Sequence, residues 1–504
     1  VTGNILVASG VTLTIEAGVT IKFDSDKVFQ VKGALIARGT SSSKITFTSN
    51  ASSPAAGDWG NLQFFDESTD ASFSGSTYTS GSIMEYCIIE YGTGLYIEKS
   101  SPFIYYSEFR YNSSYGIKTE NPNTTTLLWV TQCDIHDNPL GIEAYNPYNT
   151  EYTVFSYNTV YNNTPKGGIK ASYGSTFSYN TIKNNTASDS YSYAGGIRGG
   201  GDNKIHNNII SGNEHTESGG TGGMRVTSQS SDIYDNIIVN NIGEYALELD
   251  DTDPSTFTRN IIIGGVTNFD RIELDKSFTN NIFAGGLNGK IEFDDNNSGF
   301  SQNAILNGSG LSLSIYGGRD DYNLDQTVYF SNNLFSGNSS ETNLELSNSE
   351  SGQTYLTTNQ NNIVNNVGFN VKASSDNASL ENNYWGTTTE SEIQAIIYDW
   401  NDDASLGFLD YDPYLTSPNT SAPISPPAGV IAEPLGSGVK LTWTANPESD
   451  VAGYKIHYGS FTGYSYVNNI DAGNVTTYTI SSGVTIDSSI SVTAYDSNIN
   501  GTDD

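Results

Sequence analysis

The sequence has few of the residues that usually carry redox chemistry, metal binding or nucleic-acid recognition. It contains two cysteines, four histidines and two methionines, and its 22 lysines and arginines are outnumbered by 56 aspartates and glutamates. The formal charge of −34 excludes nucleic acid and anionic membrane surfaces as expected partners, because both are bound through clustered Lys and Arg. An acidic surface keeps a protein monomeric in solution and attracts divalent cations.

Long apolar segments are absent as well. No run of about 18 apolar residues, the length that a membrane helix needs, occurs in the chain, so we expect no membrane insertion. The sequence starts at Val1 without a signal peptide, and we expect processing or the loss of a leading segment to explain that start. Charged residues make up only 15% of the chain. Gly, Asn, Ser, Thr and Tyr take their place, which is typical of strands and tight turns.

One pattern recurs from residue 86 onward: a polar residue, Asn or a substitute, an aliphatic residue, a loop and a short strand. Its copies between Ile88 and Tyr384 have a period of about 25 residues, which indicates a stacked repeat protein. Because apolar alternation covers only a few residues in each copy, the repeat consists of strands. We assign the aliphatic position to Ile88, Phe109, Ile135, Val160, Ile182, Ile209, Ile237, Ile261, Ile282, Ala304, Leu334, Ile363 and Tyr384.

The position before the aliphatic residue holds asparagine in successive copies. Stacked amides hydrogen-bond to the copies above and below in other stacked-strand structures, and asparagine tolerates the backbone angles of a bend. We therefore predict an internal asparagine ladder, with a ligand site as the alternative. The predicted members are Asp134, Thr159 and Thr181, followed by Asn208, Asn236, Asn260, Asn281, Asn303, Asn333, Asn362 and Asn383.

The two cysteines, Cys87 and Cys133, fall two copies apart. At the usual strand spacing their Cα atoms should lie roughly 9–10 Å apart, whereas a disulfide requires less than about 7 Å. We therefore predict two buried, unpaired thiols without a redox role.

The repeat, with phrases such as YNTIKNN (179–185) and HNNIISGN (206–213), resembles the right-handed parallel β-helix superfamily of pectate-lyase-like proteins. The resemblance extends from residue 1 to about residue 415 and implies an all-β fold, and counting the repeated pattern gives about 13 regular coils. Residues 11–47 alternate apolar and polar side chains and look like the irregular first coils of such proteins. The resemblance specifies a fold and leaves the activity open, because one fold hosts many functions.

A short helix is predicted at the end of the repeats. Thr389 and Glu392 match a capping box. Apolar residues then recur on one helical face, at Ile393, Ile396, Ile397 and Trp400. We place this helix over the last coil, where it would cover an open strand edge. The segment 401–415 resembles the one that closes bacterial surface β-helices.

The last part of the chain resembles a fibronectin type III β-sandwich. Trp443, Tyr454 and Tyr495 lie in a matching series of strands. Six strands are recognisable, so the seventh is either missing from the sequence or supplied by another chain. The predicted organisation is N-terminal coils at 1–85, regular repeats with their cap at 86–415, a Pro/Ser linker at 416–427 and the sandwich at 428–504.

Each copy also contains a strand whose central polar residue should point outward, since alternate side chains face opposite sides. By the resemblance, this strand lines the cleft in pectate-lyase-like enzymes. The first half of the resulting column is mainly cationic and the second half is mainly anionic. The column consists of Tyr96, Lys118, Glu143, Lys170, Arg198, Arg225, Glu248, Glu273, Glu292, Ser312, Glu345 and Asn370.

Three successive copies in the anionic half carry the pattern Glu-x-Asp. The six carboxylates belong to Glu248, Asp250, Glu273, Asp275, Glu292 and Asp294. Like charges at this spacing raise a pKa or recruit a cation, and oxygen-only ligands suit Ca²⁺. Arg271 and Lys290 lie on the same strands, so a solvated salt-bridge lattice is the alternative to a Ca²⁺ site.

Lys170, Arg198 and Arg225 are residue types that a polysaccharide lyase requires, with Lys or Arg as the base and Arg or a metal to stabilise the enolate. The sequence contains no local motif of a lyase family, and its histidines are scattered. Tyrosines in the early copies, such as Tyr105 and Tyr157, offer rings that either stack on sugars or pack within the sheets.

Three functions fit these observations. We favour a noncatalytic extracellular protein, structural or adhesive, at the cell surface. Its rigid β-helix would present other modules and contact a glycan or neighbouring copies of the same protein. The alternatives are a Ca²⁺-dependent polysaccharide lyase or hydrolase acting on acidic glycans, and a carbohydrate-binding module of a larger enzyme.

Overall fold

Short strands are the main regular element of the described residues in the computed structural model, which divides into two compact units, Val1–Thr252 and Asp253–Asp504. The structure describes residues 1–120, 126–146, 153–188, 193–227, 231–250, 256–274, 277–285, 287–293, 299–308, 312–317, 326–338, 343–348, 354–368, 370–374, 377–462, 465–484 and 488–496. Within these ranges, no helix has the length and apolarity needed to cross a membrane.

The first unit is built from three parallel sheets. Sheet A contains β1 (Ile5–Val7), β4 (Phe29–Val31), β7 (Asn61–Phe64), β12 (Gly94–Glu98), β15 (Ile117–Glu120), β18 (Ile142–Tyr145), β21 (Ile169–Ala171), β25 (Ile197–Gly199), β29 (Thr221–Thr227) and β32 (Tyr245–Asp250). Sheet B contains β2 (Thr12–Ile15), β5 (Ala34–Arg38), β10 (Ile83–Glu85), β13 (Phe103–Tyr105), β16 (Leu128–Thr131), β19 (Thr153–Ser156), β22 (Ser175–Ser178), β26 (Lys204–His206) and β30 (Asp232–Tyr234). Sheet C contains β3 (Thr20–Phe23), β6 (Ile45–Ser49), β11 (Cys87–Glu90), β14 (Glu108–Arg110), β17 (Asp134–His136), β20 (Thr159–Tyr161), β23 (Thr181–Lys183), β27 (Ile209–Ser211) and β31 (Ile237–Val239). Two further pairs are the antiparallel hairpin of β8 (Ser72–Ser74) and β9 (Thr77–Ser80), and the parallel β24 (Thr186–Ala187) and β28 (Glu214–His215).

Alternation along each strand decides which side chains enter the interior of the first unit. In β15, Ile117 and Thr119 are buried, whereas Lys118 between them is partly exposed. Residues in the left-handed backbone region, such as Tyr157 (φ 57°) and Asn162 (φ 54°), flank the strands of sheet C and turn the chain into the next sheet. Fully burying one Ile or Phe contributes about 1.5–3 kcal/mol, so the stacked interior columns stabilise every coil.

The predicted aliphatic position is one residue early in some copies of the first unit. The buried column of sheet C consists of Ile89, Phe109, Ile135, Val160, Ile182, Ile210 and Ile238. Four predicted positions are therefore confirmed, and Ile88, Ile209 and Ile237 are wrong. In each wrong case two apolar residues are adjacent, and a shift of one residue along a strand moves a side chain to the opposite face.

An asparagine ladder follows the corner between sheets B and C. Amide nitrogen Nδ2 of Asn180 donates to Oδ1 of Asn208 at 3.0 Å, and Asn208 donates in the same way to Asn236 at 3.0 Å. Asn208 also donates to the carbonyl oxygen of Phe177 at 2.9 Å. The ladder prediction is thus confirmed at Asn208 and Asn236. The earlier members are Cys133, Asn158 and Asn180 in place of the predicted Asp134, Thr159 and Thr181.

Both cysteines occupy the ladder position in earlier coils. The backbone N–H of Cys87 donates to the hydroxyl of Ser107 at 3.0 Å, and that of Cys133 donates to Oδ1 of Asn158 at 2.9 Å. Both thiols are buried and unpaired, as predicted. Burial raises the pKa of Cys133 to about 12 and raises that of Cys87 further, so neither sulfur is a thiolate at neutral pH.

A second asparagine ladder follows the other end of sheet C, and the sequence analysis missed it. Its side chains are fully or nearly buried, and each donates to the next one at 2.9–3.2 Å. The members are Asn112, Asn138, Asn163, Asn185, Asn213 and Asn241. The sequence signal for the second ladder was an asparagine five residues after a position of the first ladder, as Asn185 follows Asn180.

The second unit also contains three parallel sheets. Sheet D contains β35 (Val266–Leu274), β38 (Leu287–Phe293), β41 (Ser312–Gly317), β44 (Asn343–Asn348), β47 (Asn370–Ala373) and β49 (Ile397–Tyr398). Sheet E contains β33 (Thr256–Thr258), β36 (Ser277–Thr279), β39 (Gly299–Ser301), β42 (Gln326–Ser331), β45 (Thr354–Asn359), β48 (Ala378–Ser379) and β50 (Leu409–Asp410). Sheet F contains β34 (Ile261–Ile263), β37 (Ile282–Ala284), β40 (Ala304–Leu306), β43 (Leu334–Ser336) and β46 (Asn362–Val364).

Predicted positions that are one residue out of register recur in the second unit, both in the ladder and in the aliphatic column. The ladder there consists of Asn260, Asn281, Asn303, Asn333, Asn361 and Asn383. Asn361 replaces the predicted Asn362, whose amide instead pairs with the backbone of Asn419. The column of sheet F in register with Ile363 is Ile262, Phe283, Ile305 and Phe335, so only Ile363 is confirmed among the predicted strand positions Ile261, Ile282, Ala304, Leu334 and Ile363. Ala304 and Leu334 are also buried, in a separate cluster with Leu306. Tyr384 forms an isolated bridge to Asn362.

The outward column is correct in part within the second unit. Backbone pairing aligns Glu273 with Glu292, as predicted. Glu292 then aligns with Tyr316, so the predicted Ser312 is wrong by four residues. The predicted Glu345 and Asn370 align with Lys372 and Asn343 respectively, which places them at other positions along the strands. Strand β41 is six residues long, and the repeat pattern does not specify which of its polar residues continues the column.

The predicted helix is present and shorter than expected. α1 spans Glu390–Gln394, and its N-cap residue Thr389 makes no side-chain capping bond, so the predicted capping box is wrong. The carboxylate of Glu392 accepts a hydrogen bond from Thr387 instead. Ile397 belongs to β49, which pairs with β47 as the last strand of sheet D. A strand therefore replaces the second helical turn.

Two antiparallel three-stranded sheets follow the linker. One contains β51 (Ala428–Leu435), β52 (Gly438–Thr444) and β55 (Thr477–Ile480), and the other contains β54 (Ser465–Gly473), β53 (Val451–Thr462) and β56 (Ile490–Asp496). Trp443 and Tyr454 lie in one shared buried cluster with their ring centroids 5.3 Å apart. Tyr495, the third predicted aromatic, donates its hydroxyl to Asp471 at 2.9 Å.

Candidate functional site

Six charged side chains on successive strands of sheet A form the candidate site, which we call the charged column. Backbone pairing places each residue beside the next, in the predicted order. Neighbouring strands are about 4.8 Å apart, so the column is a continuous row of polar side chains, partly exposed at Lys118 and Glu143 and nearly buried at Glu248. Its members are Lys118, Glu143, Lys170, Arg198, Arg225 and Glu248.

Ion pairs organise both ends of the charged column. Nζ of Lys118 lies 3.6 Å from Oε2 of Glu143. At the other end, Nε of Arg225 lies 3.2 Å from Oε2 of Glu248, which also accepts a hydrogen bond from the hydroxyl of Thr221. Glu248 is nearly buried, with 6% of its surface exposed. A buried carboxylate is stable in its charged form only with such partners.

Lys170, in the middle of the column, has a lowered pKa. Burial is the largest cause, and Glu143 opposes it by favouring the charged form. The positive charges of Arg198, Lys166 and Lys118 lower the pKa further. Nζ of Lys170 lies 4.4 Å from the ring centroid of Tyr193, which contributes a cation–π contact. Burial therefore dominates the lowered pKa of Lys170, and one nearby carboxylate and three nearby cations act on it in opposite directions.

The three residues that the lyase hypothesis requires are brought together. Lys170, Arg198 and Arg225 lie at the same position of three adjacent strands, β21, β25 and β29. This arrangement presents two guanidinium groups next to one amine. Guanidinium groups bind carboxylates in a planar, bidentate geometry, so the column has the chemistry to hold an acidic ligand.

The predicted Ca²⁺ site lies largely beyond the residues that the structure describes. Asp275 and Asp294 are outside the described ranges, and so are the side chains of Asp250, Glu273 and Glu292. Among the described side chains, no group of three or more His, Cys, Asp or Glu residues is placed to hold a metal ion. Calcium binding therefore stays a prediction.

Sheet C carries a compact ionic network that the sequence did not reveal. Nζ of Lys44 lies 3.0 Å from Oε2 of Glu108, and Nη1 of Arg110 is hydrogen-bonded to Oε1 of the same carboxylate. His136 lies between Glu108, at 3.3 Å, and Asp137, at 2.7 Å. Hydrogen bonding from His136 is the main reason why the pKa of Glu108 falls to about 2. Burial would lower the pKa of His136, and its bonds to Glu108 and Asp137 outweigh burial and raise it.

We expect Glu108→Gln to lower the free energy of unfolding at neutral pH by about 1 kcal/mol or less, because the network is partly solvated. A carboxylate with a lowered pKa stabilises the fold above its unfolded pKa near 4.3, and this stability is lost as pH falls through about 2. The variant should therefore differ from the native chain at neutral pH and converge with it near pH 2. Urea unfolding at both pH values measures this.

The control for Glu108→Gln is Glu67→Gln, which removes an exposed ion pair to Lys32. The pKa of Glu67 is lowered mainly by its hydrogen bond to Lys32 in a fully solvated setting, so we expect a smaller change. The pH dependence that His136 contributes has the opposite sign, because its pKa is raised in the folded chain. Its protonated ring stabilises the fold below the unfolded pKa, and this stability is lost as pH rises through the folded pKa. Equal losses for both Glu variants at every pH would contradict a specific network.

The three parallel sheets of each unit define the chain as a parallel β-solenoid, and two family models give its hand. Residues 1–132 match the pectate-lyase like beta helix domain, and residues 128–283 match the right handed beta helix region. These matches identify a right-handed parallel β-helix, as the sequence predicted. No curated protein matches the chain.

Solved structures of the tailspike protein of E. coli bacteriophage HK620 align with the chain. One double mutant is 11% identical over 98% of this chain and 86% of the tailspike chain, with a TM-score of 0.22. Another double mutant, in complex with a pentasaccharide, is 10% identical over 98% and 86% of the two chains, with a TM-score of 0.21.

Proposed function

We propose that the protein is a noncatalytic, extracellular adhesive β-helix that binds an acidic glycan along the charged column. The observation that carries this proposal is the alignment of Lys170, Arg198 and Arg225 on adjacent strands of sheet A. A linear glycan repeats its carboxylates at intervals of one or two sugar rings. The three adjacent strands β21, β25 and β29 carry one cation each and offer a matching series of charges.

The charge of the whole chain supports a confined binding site. A formal charge of −34 repels acidic polymers from most of the surface. The charged column contains four cations and two carboxylates, so it is locally positive. Charge-assisted hydrogen bonds to Lys and Arg would then select carboxylated or sulfated chains.

Calorimetric titration of the full chain with hexagalacturonate tests the proposal. The double variant Lys170→Glu with Arg198→Glu should weaken binding at least about tenfold, because each lost charged hydrogen bond contributes about 1.5 kcal/mol or more. The matched control is Lys22→Glu with Lys183→Glu, which makes the same change in net charge at exposed positions of sheet C. Lack of binding to hexagalacturonate, alginate and sulfated glycans, or an equal loss in the control, would refute the proposed adhesion.

A lyase is the second candidate, and the lowered pKa of Lys170 favours it. A lysine acts as a base only when neutral, so its activity would rise with pH and reach its plateau at lower pH than for an ordinary lysine. Incubation with polygalacturonate and Ca²⁺, followed by ultraviolet absorbance of unsaturated products, separates the candidates. Product formation that Lys170→Met abolishes would replace the noncatalytic proposal with a lyase.

The sandwich supports a role in presenting the β-helix at a surface. We propose that its two three-stranded sheets form a fibronectin type III-like module, because β51, β52 and β55 lie on one side and β54, β53 and β56 on the other. The coils, linker and module would then act as separate domains, with glycans or neighbouring copies as partners.

A further inference from the structure

A cleft of about 430 Å³ lies on the outer face of sheet B, away from the charged column on sheet A. One wall is the hairpin of β8 and β9, which contributes Thr77 and Tyr78. The floor comes from successive strands of sheet B, and Phe103, Tyr105 and Trp129 line it. The proposed acidic-glycan site uses none of these residues.

Flat ring surfaces dominate the floor of the cleft. The ring of Phe103 stacks on that of Tyr105 with centroids 5.1 Å apart, and on that of Tyr78 at 6.0 Å. Trp129 lies 5.6 Å from Phe103 and donates its indole N–H to Ser156 at 2.9 Å, which fixes the indole plane. The rings are thus held in position before any ligand binds, which lowers the entropic cost of binding.

Polar groups surround the rings without giving the cleft a net charge. Nε of Arg38 lies 2.7 Å from Oε2 of Glu85, and the Arg38 guanidinium also lies over the ring of Tyr78 at 5.8 Å. Thr131 and Gln132 add a hydroxyl and an amide to the lining. An ion pair of one Arg and one Glu offers both donors and acceptors. A neutral ligand with hydroxyl groups and an apolar face meets these requirements.

The backbone beside the cleft supplies an independent observation. Tyrosines occupy the left-handed position at the corner between sheets B and C in four coils, at Tyr86 (φ 50°), Tyr106 (φ 47°), Tyr157 (φ 57°) and Tyr179 (φ 57°), and Gln132 (φ 55°) occupies it in the coil between Tyr106 and Tyr157. Bulky residues are uncommon in this conformation, and in the coil after Tyr179 Asn207 fills the same role at φ 56°.

The corner tyrosines stack in pairs while remaining accessible. Tyr86 and Tyr106 are 4.9 Å apart with an interplanar angle of 8°, and Tyr157 and Tyr179 are 4.8 Å apart at 5°. Tyr157 also lines the cleft and is 44% exposed. Tyr86 and Tyr179 are half-buried, whereas Tyr106 and Tyr157 are exposed. Exposed rings beside a polar-rimmed aromatic cleft are typical of ligand recognition.

We propose that this cleft, together with the adjoining corner tyrosine Tyr157, binds a neutral saccharide. The apolar C–H face of a pyranose ring would stack on Tyr105 and Trp129, and its hydroxyls would bond to Arg38 and Glu85. This site differs from the charged column in location and in ligand class. It rests on its own geometry and does not require the proposed adhesion to acidic glycans.

Titration of the full chain with cellohexaose, xylohexaose and mannohexaose at millimolar concentrations tests the site. Tyr157→Asn removes a ring while keeping a residue that tolerates the left-handed backbone, so the fold should persist. We expect binding of at least one hexasaccharide, and about fivefold to tenfold weaker binding in Tyr157→Asn and in Tyr105→Ala, as for interface aromatic residues. Circular dichroism of each variant verifies folding.

Two controls separate this site from the charged column. Tyr145→Asn removes a ring that is 50% exposed on sheet A, and it should leave neutral-saccharide binding unchanged. The double variant at Lys170 and Arg198 should also bind neutral saccharides normally. Failure of all three hexasaccharides to bind, or an equal loss in Tyr145→Asn, overturns the proposal. Self-association that Tyr157→Asn abolishes, without saccharide binding, overturns it by making a second copy the occupant.

Discussion

Replacing Asn185 with Asp should lower the free energy of unfolding by about 3 kcal/mol or more at neutral pH, because it leaves a buried carboxylate among acceptors. Asn185 is fully buried, and its Nδ2 donates to the carbonyl oxygen of Val160 and to Oδ1 of Asn213, both at 2.9 Å. Its Oδ1 accepts from Asn163 at 2.9 Å. The aspartate side chain keeps the shape of asparagine and its acceptor oxygen, and it loses the two hydrogen bonds that Nδ2 donates.

The pH dependence of Asn185→Asp follows from the same contacts. Burial and neighbouring oxygens would raise the pKa of the new carboxyl group. Below that raised pKa the protonated acid donates one hydrogen bond, so part of the lost stability should return as pH falls. Urea unfolding over a range of pH measures both effects.

The neighbouring residue provides a matched control. Asn184 has the same side chain and is exposed, with a left-handed backbone at φ 55°. Asp tolerates that conformation almost as well as Asn, so Asn184→Asp should change the unfolding free energy by only a few tenths of a kcal/mol. Similar losses for both variants would contradict the ladder as a source of stability.

The second large effect is expected for Gly168→Ala, with a loss of about 2–3 kcal/mol from overpacking. A Cβ atom at Gly168 would lie 2.7 Å from the carbonyl oxygen of Gly196, 3.0 Å from Nδ2 of Asn185 and 3.0 Å from Cγ2 of Ile182. The backbone N–H of Gly168 donates to Gly195 at 2.9 Å, so the chain cannot move away without losing that bond. The added methyl group must therefore push apart adjacent coils.

A glycine in open space is the control for Gly168→Ala. A methyl group added at Gly3 would meet no atom within 4 Å, and the backbone there is not left-handed, so Gly3→Ala should be neutral or slightly stabilising. Thermal unfolding of both variants measures the difference. A neutral Gly168→Ala variant would show that the coils tolerate wider spacing than the structure indicates. The same constraint applies along the column of Gly116, Gly141, Gly168, Gly196 and Gly223.

The parallel strand repeat followed from the sequence because asparagine and isoleucine recur where geometry demands them. The side chain of Asn208 stacks on that of Asn236 and also satisfies the bend, so its position was predictable. The choice between Ile209 and Ile210 was not, since both are apolar and only packing decides which one faces inward. Asn361 and Asn362 present the same ambiguity. Runs of identical residues carry no information about register.

The candidate site, like the fold, was predictable from the sequence only in part. Lys170, Arg198 and Arg225 follow from alternation, which a repeat pattern specifies well. The ion pair between Arg225 and Glu248 depends on rotamers, which sequence does not specify. The cleft on sheet B depends on where the β8–β9 hairpin folds back. Residues 72–80 lie outside the repeat, so no periodicity located that wall.

The two proposed saccharide sites differ in chemistry. The charged column would select charge through Lys170 and Arg198, whereas the sheet B cleft would select ring faces through Tyr105 and Trp129. Because the two surfaces use different chemistry, salt should weaken binding to the column and affect the cleft little. A ligand with both acidic and neutral residues would engage the two sites through different segments.

A crystal structure determined from crystals of the full chain soaked with trigalacturonate tests most directly whether the charged column binds acidic glycans. The proposal predicts electron density along sheet A, with ligand carboxylates about 3 Å from Lys170 and Arg198. Density at another surface, or none when crystals are soaked at saturating concentration, would contradict the assignment of acidic-glycan binding to this column.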